Sequence, residues 1–126
     1  MALSGHTVLV MEDNPVLAAD LSMRIAEQGA TIIGPFRRLS DGLDELDRTV
    51  PSLAILDVEL LDGMVLPLAD RLRDLGVPFL FYSARDSDGH AAAKRTGAPL
   101  LSKSNHSARA VEILDEIGRQ SAAHPA

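Results

Sequence analysis

Three short runs of uninterrupted apolar residues constrain this chain more than any other feature: Thr7–Met11, Leu53–Leu56 and Phe79–Tyr82. A strand with one wet face alternates apolar and polar residues. A run without alternation has both faces covered, which is the pattern of a parallel sheet sandwiched between helices. The stretches between these runs are amphipathic. Asn14 is placed to cap a helix whose first position is Pro15, and Leu17, Leu21 and Ile25 recur at helical spacing before a stop at Gly29. Thr31–Gly34 reads as a strand closed by Pro35. Leu39, Leu43, Leu46 and Val50 then follow a 3.6-residue period, which predicts a helix over Ser40–Thr49.

Beyond Leu56 the same alternation continues. Asp57 opens an acidic, Gly-containing loop over Val58–Gly63, and Val65, Leu68, Leu72 and Leu75 mark a third helix ended by Gly76. A fourth helix is expected at Ser87–Thr96, weakly anchored because its apolar residues are Ala91, Ala92 and Ala93. A fifth strand follows at Ala98–Ser102, and Ala110, Val111, Leu114 and Ile117 stripe a fifth helix. Five strands alternating with five helices imply an α/β, three-layer, flavodoxin-like fold. Its parallel sheet has the order 2-1-3-4-5 with helices on both faces. A length of 126 residues fits one domain, expected over residues 5–120 with a polar tail at 121–126.

Composition removes several function classes. A net charge of −6 disfavours nucleic acid and anionic membrane as partners, and the absence of Cys excludes disulfides, thiolate metal sites and a thiol nucleophile. His6, His90, His106 and His124 lack metal-ligand spacing. No apolar run reaches transmembrane length, and Met1–Thr7 lacks the layout of a signal peptide, so a cytoplasmic location is expected.

In open parallel sheets, sites form beyond the carboxyl ends of the strands. Those ends carry Glu12-Asp13, Asp57, Ser83 and Lys103. Three carboxylates on one rim repel one another, and a hard divalent cation resolves the repulsion. Mg²⁺ suits it best, with Mn²⁺ as a substitute, since Mg²⁺ takes one or two carboxylates directly and keeps water for the remaining positions. Lys103 adds a positive charge and Ser83 a hydroxyl, which together suit a phosphoryl group held at one carboxylate.

This element order and these strand-end residues resemble the CheY-like receiver domain of two-component response regulators, over nearly the whole chain. The resemblance implies that Asp57 is the phosphorylated aspartate. It implies that Asp13, Asp57 and the backbone carbonyl of Glu59 are Mg²⁺ ligands, with Glu12 acting through a metal-bound water. Ser83, Ala84 and Lys103 are then the residues that contact the phosphoryl group. Glu59 and Arg85 flank the path of attacking water and are expected to tune the phosphoryl lifetime. The implied donors are a sensor histidine kinase or a phosphotransfer protein. Output would pass to a protein bound on the face formed by the fourth helix, fifth strand and fifth helix, from a monomer or a phosphorylation-dependent dimer. With no room for an output module, a stand-alone receiver is expected, acting as a phosphoacceptor rather than an enzyme.

Two positions in the expected switch region depart from the common receiver. Leu100 stands where an aromatic is usual, and Ser104 follows the lysine where Pro is usual, which leaves the isomer of that peptide bond undetermined. Val77–Ser83 is similar to the Pro-Phe-x-Phe stretch of a subgroup of single-domain alphaproteobacterial receivers that also lacks the aromatic. Ser83-Ala84-Arg85 does not match that subgroup's further Thr-Gly pattern. The competing readings are a small phosphatase of the haloacid dehalogenase type, a flavin carrier, and an unphosphorylated pseudo-receiver scaffold. The first needs an Asp where Glu59 stands and a substrate-covering cap. The second needs a phosphate loop where the chain has Glu12-Asp13-Asn14-Pro15, and the third makes the full set of strand-end groups superfluous.

Overall fold

Alternate residues of each central strand enter different hydrophobic cores. The computed structural model describes residues 1–84 and 86–122. In β1 (Thr7–Met11), Leu9 and Met11 join one cluster while Val8 and Val10 join the other. In β3 (Leu53–Leu56) and β6 (Phe79–Ser83), Ala54, Leu56, Phe79 and Phe81 likewise face the first cluster, and Leu53, Ile55, Leu80 and Tyr82 the second. Two-sided burial is the physical reason for the uninterrupted apolar runs. β2 (Thr31–Phe36) and β7 (Leu100–Ser102) complete a five-stranded parallel sheet of order β2-β1-β3-β6-β7. This is the expected order, 2-1-3-4-5, counted over the sheet's own strands.

α1 (Pro15–Glu27) and α5 (Ser107–Ala122) cover one face. α2 (Leu39–Leu46), α3 (Leu66–Asp74) and α4 (Asp86–Thr96) cover the other. Asn14 caps α1 as its spacing predicts, its Oδ1 accepting the N–H of Val16 and Leu17 at 3.0 and 3.2 Å.

Several boundaries differ from expectation. β2 does not stop before Pro35 but runs to Phe36. It is an edge strand, where a missing N–H breaks no ladder on the outer side. Gly34, at φ +101°, lies so close that a Cβ there would meet the Val10 carbonyl oxygen at 2.9 Å. α2 is shorter than its apolar period and leaves Val50 exposed, and Leu75 is likewise exposed beyond the end of α3. A two-stranded antiparallel hairpin, β4 (Glu59–Leu60) and β5 (Gly63–Met64), occupies the loop after Asp57. Strands of two residues carry no periodic signal.

At the termini, Leu3 is fully buried and its N–H bonds to the Gln28 carbonyl at 2.9 Å, so the core begins ahead of residue 5. α5 continues to Ala122, two residues into the expected tail; residues 123–126 lie outside the described residues. In α4 only Ala92 of the three alanines is buried, and Arg95 ties the helix to Asp70 of α3 at 2.6 Å. No helix among the described residues is long and apolar enough to cross a membrane.

Candidate functional site

At the carboxyl edge of the sheet, β1 delivers Glu12 and Asp13, β3 delivers Asp57, β6 ends in Ser83, and β7 leads into Lys103. Carboxylate oxygens of Glu12, Asp13 and Asp57 lie within 4.8 Å of one another. Lys103 Nζ donates to Glu12 Oε2 at 2.9 Å and to Asp57 Oδ2 at 3.0 Å. Asp13, Asp57, Glu59, Ser83, Ala84, Asp88 and Lys103 line a cavity of about 250 Å³. The structure thus brings the expected set into one place. Arg85 is the exception, because it lies outside the described residues.

The carboxylates are not equivalent. Glu12 is fully buried, and its Oε2 accepts the Asn14 N–H at 3.0 Å as well as Lys103. Burial raises its pKa, against the lowering pull of the Asn14 N–H and Lys103. For Asp57, burial pushes the pKa to about 8, with Asp13 and Glu12 adding to the rise and Lys103 opposing it. Asp13 is more exposed, and a hydrogen bond from Asp57 holds its carboxyl below the usual range. In the metal-free protein the proton is therefore held by Asp57 rather than by Asp13. Burial works to lower the Lys103 ammonium, but its bond to Glu12 and the charge of Asp57 more than offset this, so it stays protonated.

This donor set fits a small divalent cation. Two carboxylates on the cavity wall suit hard oxygen coordination, and a cation would replace the proton that Asp57 holds. Glu12, committed to Lys103 and to Asn14, is the least available of the three.

The two departures from the common receiver pattern have local structural counterparts. Leu100 pairs with Phe81 in the sheet and packs against Gly89 of α4, where a Cβ would meet Leu100 Cδ1 at 2.9 Å and Ser83 Cβ at 3.4 Å. The Lys103–Ser104 peptide is trans. Side chains close the turn in place of a proline ring. The Ser104 N–H donates to Ser102 Oγ at 3.2 Å, and the Tyr82 hydroxyl to the Asn105 carbonyl at 2.6 Å.

Three residues near the site escaped the sequence reading. Asp88 adds a fourth carboxylate to the cavity wall from α4. Asp62, in the β4–β5 turn, accepts the N–H of Leu39 and Ser40 at the start of α2. Arg37 Nε donates to the Asp13 carbonyl at 3.0 Å. Asp88 had a signal available, five residues beyond Ser83 at the start of a predicted helix. Arg37 and Asp62 had none, because their partners are distant in sequence.

The sheet order and the helical layers define a flavodoxin-like α/β fold of the CheY-like kind. Solved structures bear this out. The chain matches the receiver domain of Francisella response regulator 1452 with a TM-score of 0.80 and 17% identity, covering 93% of this chain and 99% of that one. It matches a CheY-like receiver domain protein from Methanospirillum hungatei JF-1 with a TM-score of 0.83 and 15% identity, covering 94% and 97%. A third match is the response regulator PhyR from Brucella abortus, with a TM-score of 0.75 and 21% identity, covering 94% of this chain and 52% of PhyR. By sequence, no family model and no curated protein matches. At these identities the likeness is one of fold.

Proposed function

We propose that this protein is a phosphoacceptor of a two-component phosphorelay, with Asp57 as the acceptor. The observation that carries the reading is the placement of Asp57. It is nearly buried at a strand end, lies on the wall of a small cavity, and is bonded to Lys103 and flanked by Asp13 and Ser83. A carboxylate oxygen of Asp57 attacks the phosphorus of a phosphohistidine in line. The P–N bond breaks, its electron pair stays on the imidazole, and an acyl phosphate forms on Asp57.

Attack requires the ionised carboxylate, yet a pKa of about 8 keeps Asp57 largely protonated at neutral pH in the metal-free protein. A bound Mg²⁺, held by Asp13, Asp57 and the Glu59 carbonyl, would supply the positive charge that favours ionisation and balances the phosphoryl oxygens. Lys103 holds Asp57 in orientation and stands ready to pair with the phosphoryl group. Ser83 offers the hydroxyl, and Ala84 leaves space. Glu59 and Arg85 tune access of water to the acyl phosphate.

The donor is a histidine kinase or a phosphotransfer protein. Output is a changed affinity for a protein on the α4–β7–α5 face, whose helix α4 rests on the Gly89–Leu100 contact rather than on an aromatic switch. The test is incubation with acetyl phosphate and Mg²⁺ followed by intact mass. The expected result is a gain of one phosphoryl group by the wild type and none by Asp57→Asn. Modification of both proteins, or of neither, would overturn the assignment.

A further inference from the structure

The segment between β2 and α2 is bonded to both loops that carry the proposed cation ligands. Toward the β1–α1 loop, the Phe36 carbonyl accepts the Glu12 N–H at 3.0 Å, and Arg37 Nε donates to the Asp13 carbonyl at 3.0 Å. Toward the hairpin after Asp57, the Arg37 carbonyl accepts the Leu61 N–H at 3.1 Å. Asp62 in that hairpin in turn caps α2, accepting the N–H of Leu39 and Ser40 at 2.5 and 3.1 Å. Arg38, the residue before α2, supplies no cap of its own. Arg37 is thus bonded to one ligand loop through its side chain and to the other through its backbone.

We propose that Arg37 is a positioning residue for phosphoryl transfer on Asp57. Its Nε–H bond to the Asp13 carbonyl sets the β1–α1 loop against the hairpin, so that Asp13 and the groups after β3 face one divalent cation. The proposal rests on the receiver reading of the site. Ordering the loop in advance removes a cost that cation binding would otherwise carry. Arg37 therefore governs how readily the cation binds and leaves the reaction of the loaded site unchanged.

The experiment compares wild type with Arg37→Ala, Arg37→Gln and Arg37→Lys. Mg²⁺ titrations are followed by amide chemical shifts, and the rate of phosphorylation by acetyl phosphate is measured across the same Mg²⁺ range. The Gln side chain carries a nitrogen directly after Cδ, as Arg does, so it keeps a donor at that place without the charge. Lys keeps the charge and moves the nitrogen one atom further out. Arg37→Ala is expected to raise the half-saturating Mg²⁺ concentration about three- to tenfold, the loss of one hydrogen bond. At saturating Mg²⁺ its rate should stay within about twofold of wild type. Arg37→Gln should recover most of the affinity and Arg37→Lys should not.

Unchanged affinity in Arg37→Ala overturns the proposal. So does recovery by Lys but not by Gln, which would make the effect one of charge. A fall in both the EDTA melting temperature and the saturated rate also overturns it, as the mark of a general folding role. If the wild type binds Mg²⁺ but takes no phosphoryl group on Asp57, the receiver reading fails, while the Mg²⁺ titrations still decide the role of Arg37.

Discussion

Asp57→Asn is expected to stabilise the metal-free protein at neutral pH and to lose that advantage in acid. The pKa of Asp57 is raised from 3.8 to about 8 by burial, then by Asp13 and Glu12. The native state therefore holds this proton more tightly than the unfolded chain does. The resulting stabilisation is complete below the unfolded value of about 3.9 and is lost as pH rises toward the folded one. From 3.8 to neutral pH, at about 1.36 kcal/mol per unit, the loss is of order 4 kcal/mol.

An amide has no proton to lose and escapes that loss, but it puts an NH₂ in place of one carboxyl oxygen and so can forfeit the bond from Lys103 Nζ, now 3.0 Å from Asp57 Oδ2. A hydrogen bond to a charged group is worth about 1.5–3 kcal/mol, which leaves a net gain of about 1–3 kcal/mol near pH 7. The melting temperature should rise by roughly 3–12 °C. Near pH 4.5 the carboxyl has forfeited only about 1 kcal/mol, and the variant should be no more stable than wild type. Far-UV circular dichroism melts in EDTA suit a chain without Trp. A stability difference that stays constant between pH 4.5 and 8, or a destabilised variant at pH 7, would refute the reasoning. Excess Mg²⁺ should raise the wild-type melting temperature more than that of the variant, because it binds the folded carboxylates.

Three further outcomes follow from the geometry around the site. Gly89→Ala should destabilise by at most about 1–2 kcal/mol, since its Cβ would meet the movable end of Leu100, Cδ1, at 2.9 Å while Ala favours the helix by about 0.5–1 kcal/mol over Gly. Adding Leu100→Val should return much of that loss in thermal melts, and no recovery would show that the contact is not the cause. Asp88→Asn should speed phosphorylation by acetyl phosphate about two- to fivefold at low salt, by removing a like charge from the path of the arriving anion. The advantage should fade at high salt, and equal rates at low salt would discard the idea. Arg95→Ala removes the exposed pair with Asp70 and should cost at most about 1 kcal/mol globally. Amide exchange in α4 should nevertheless accelerate more than in α1 or α5, and uniform exchange would mean that the pair does not hold α4 in place.

How much was legible in advance depended on whether a signal was local. β1, β3 and β6 could be read from sequence because burial on both faces writes itself into consecutive residues, as in Val8 and Leu9, which enter opposite cores. The start of α1 was equally plain, since a cap is a contact between neighbours, Asn14 with Val16 and Leu17. Strand order followed from the alternation of elements, and strand order alone brought Asp13, Asp57, Ser83 and Lys103 to a common edge.

Packing decided what no sequence window contains. Lys103 meets Glu12 from 91 residues away and Asp57 from 46, and that geometry determines which carboxyl holds a proton. The β4–β5 hairpin, the cap that Asp62 gives α2, and the hold of Arg37 on Asp13 arise between elements placed by the rest of the fold. The sequence by itself determined which groups reach the rim. The tertiary structure decided how deeply each is buried and with whom it pairs, because desolvation and charge coupling depend on every segment that closes around the site.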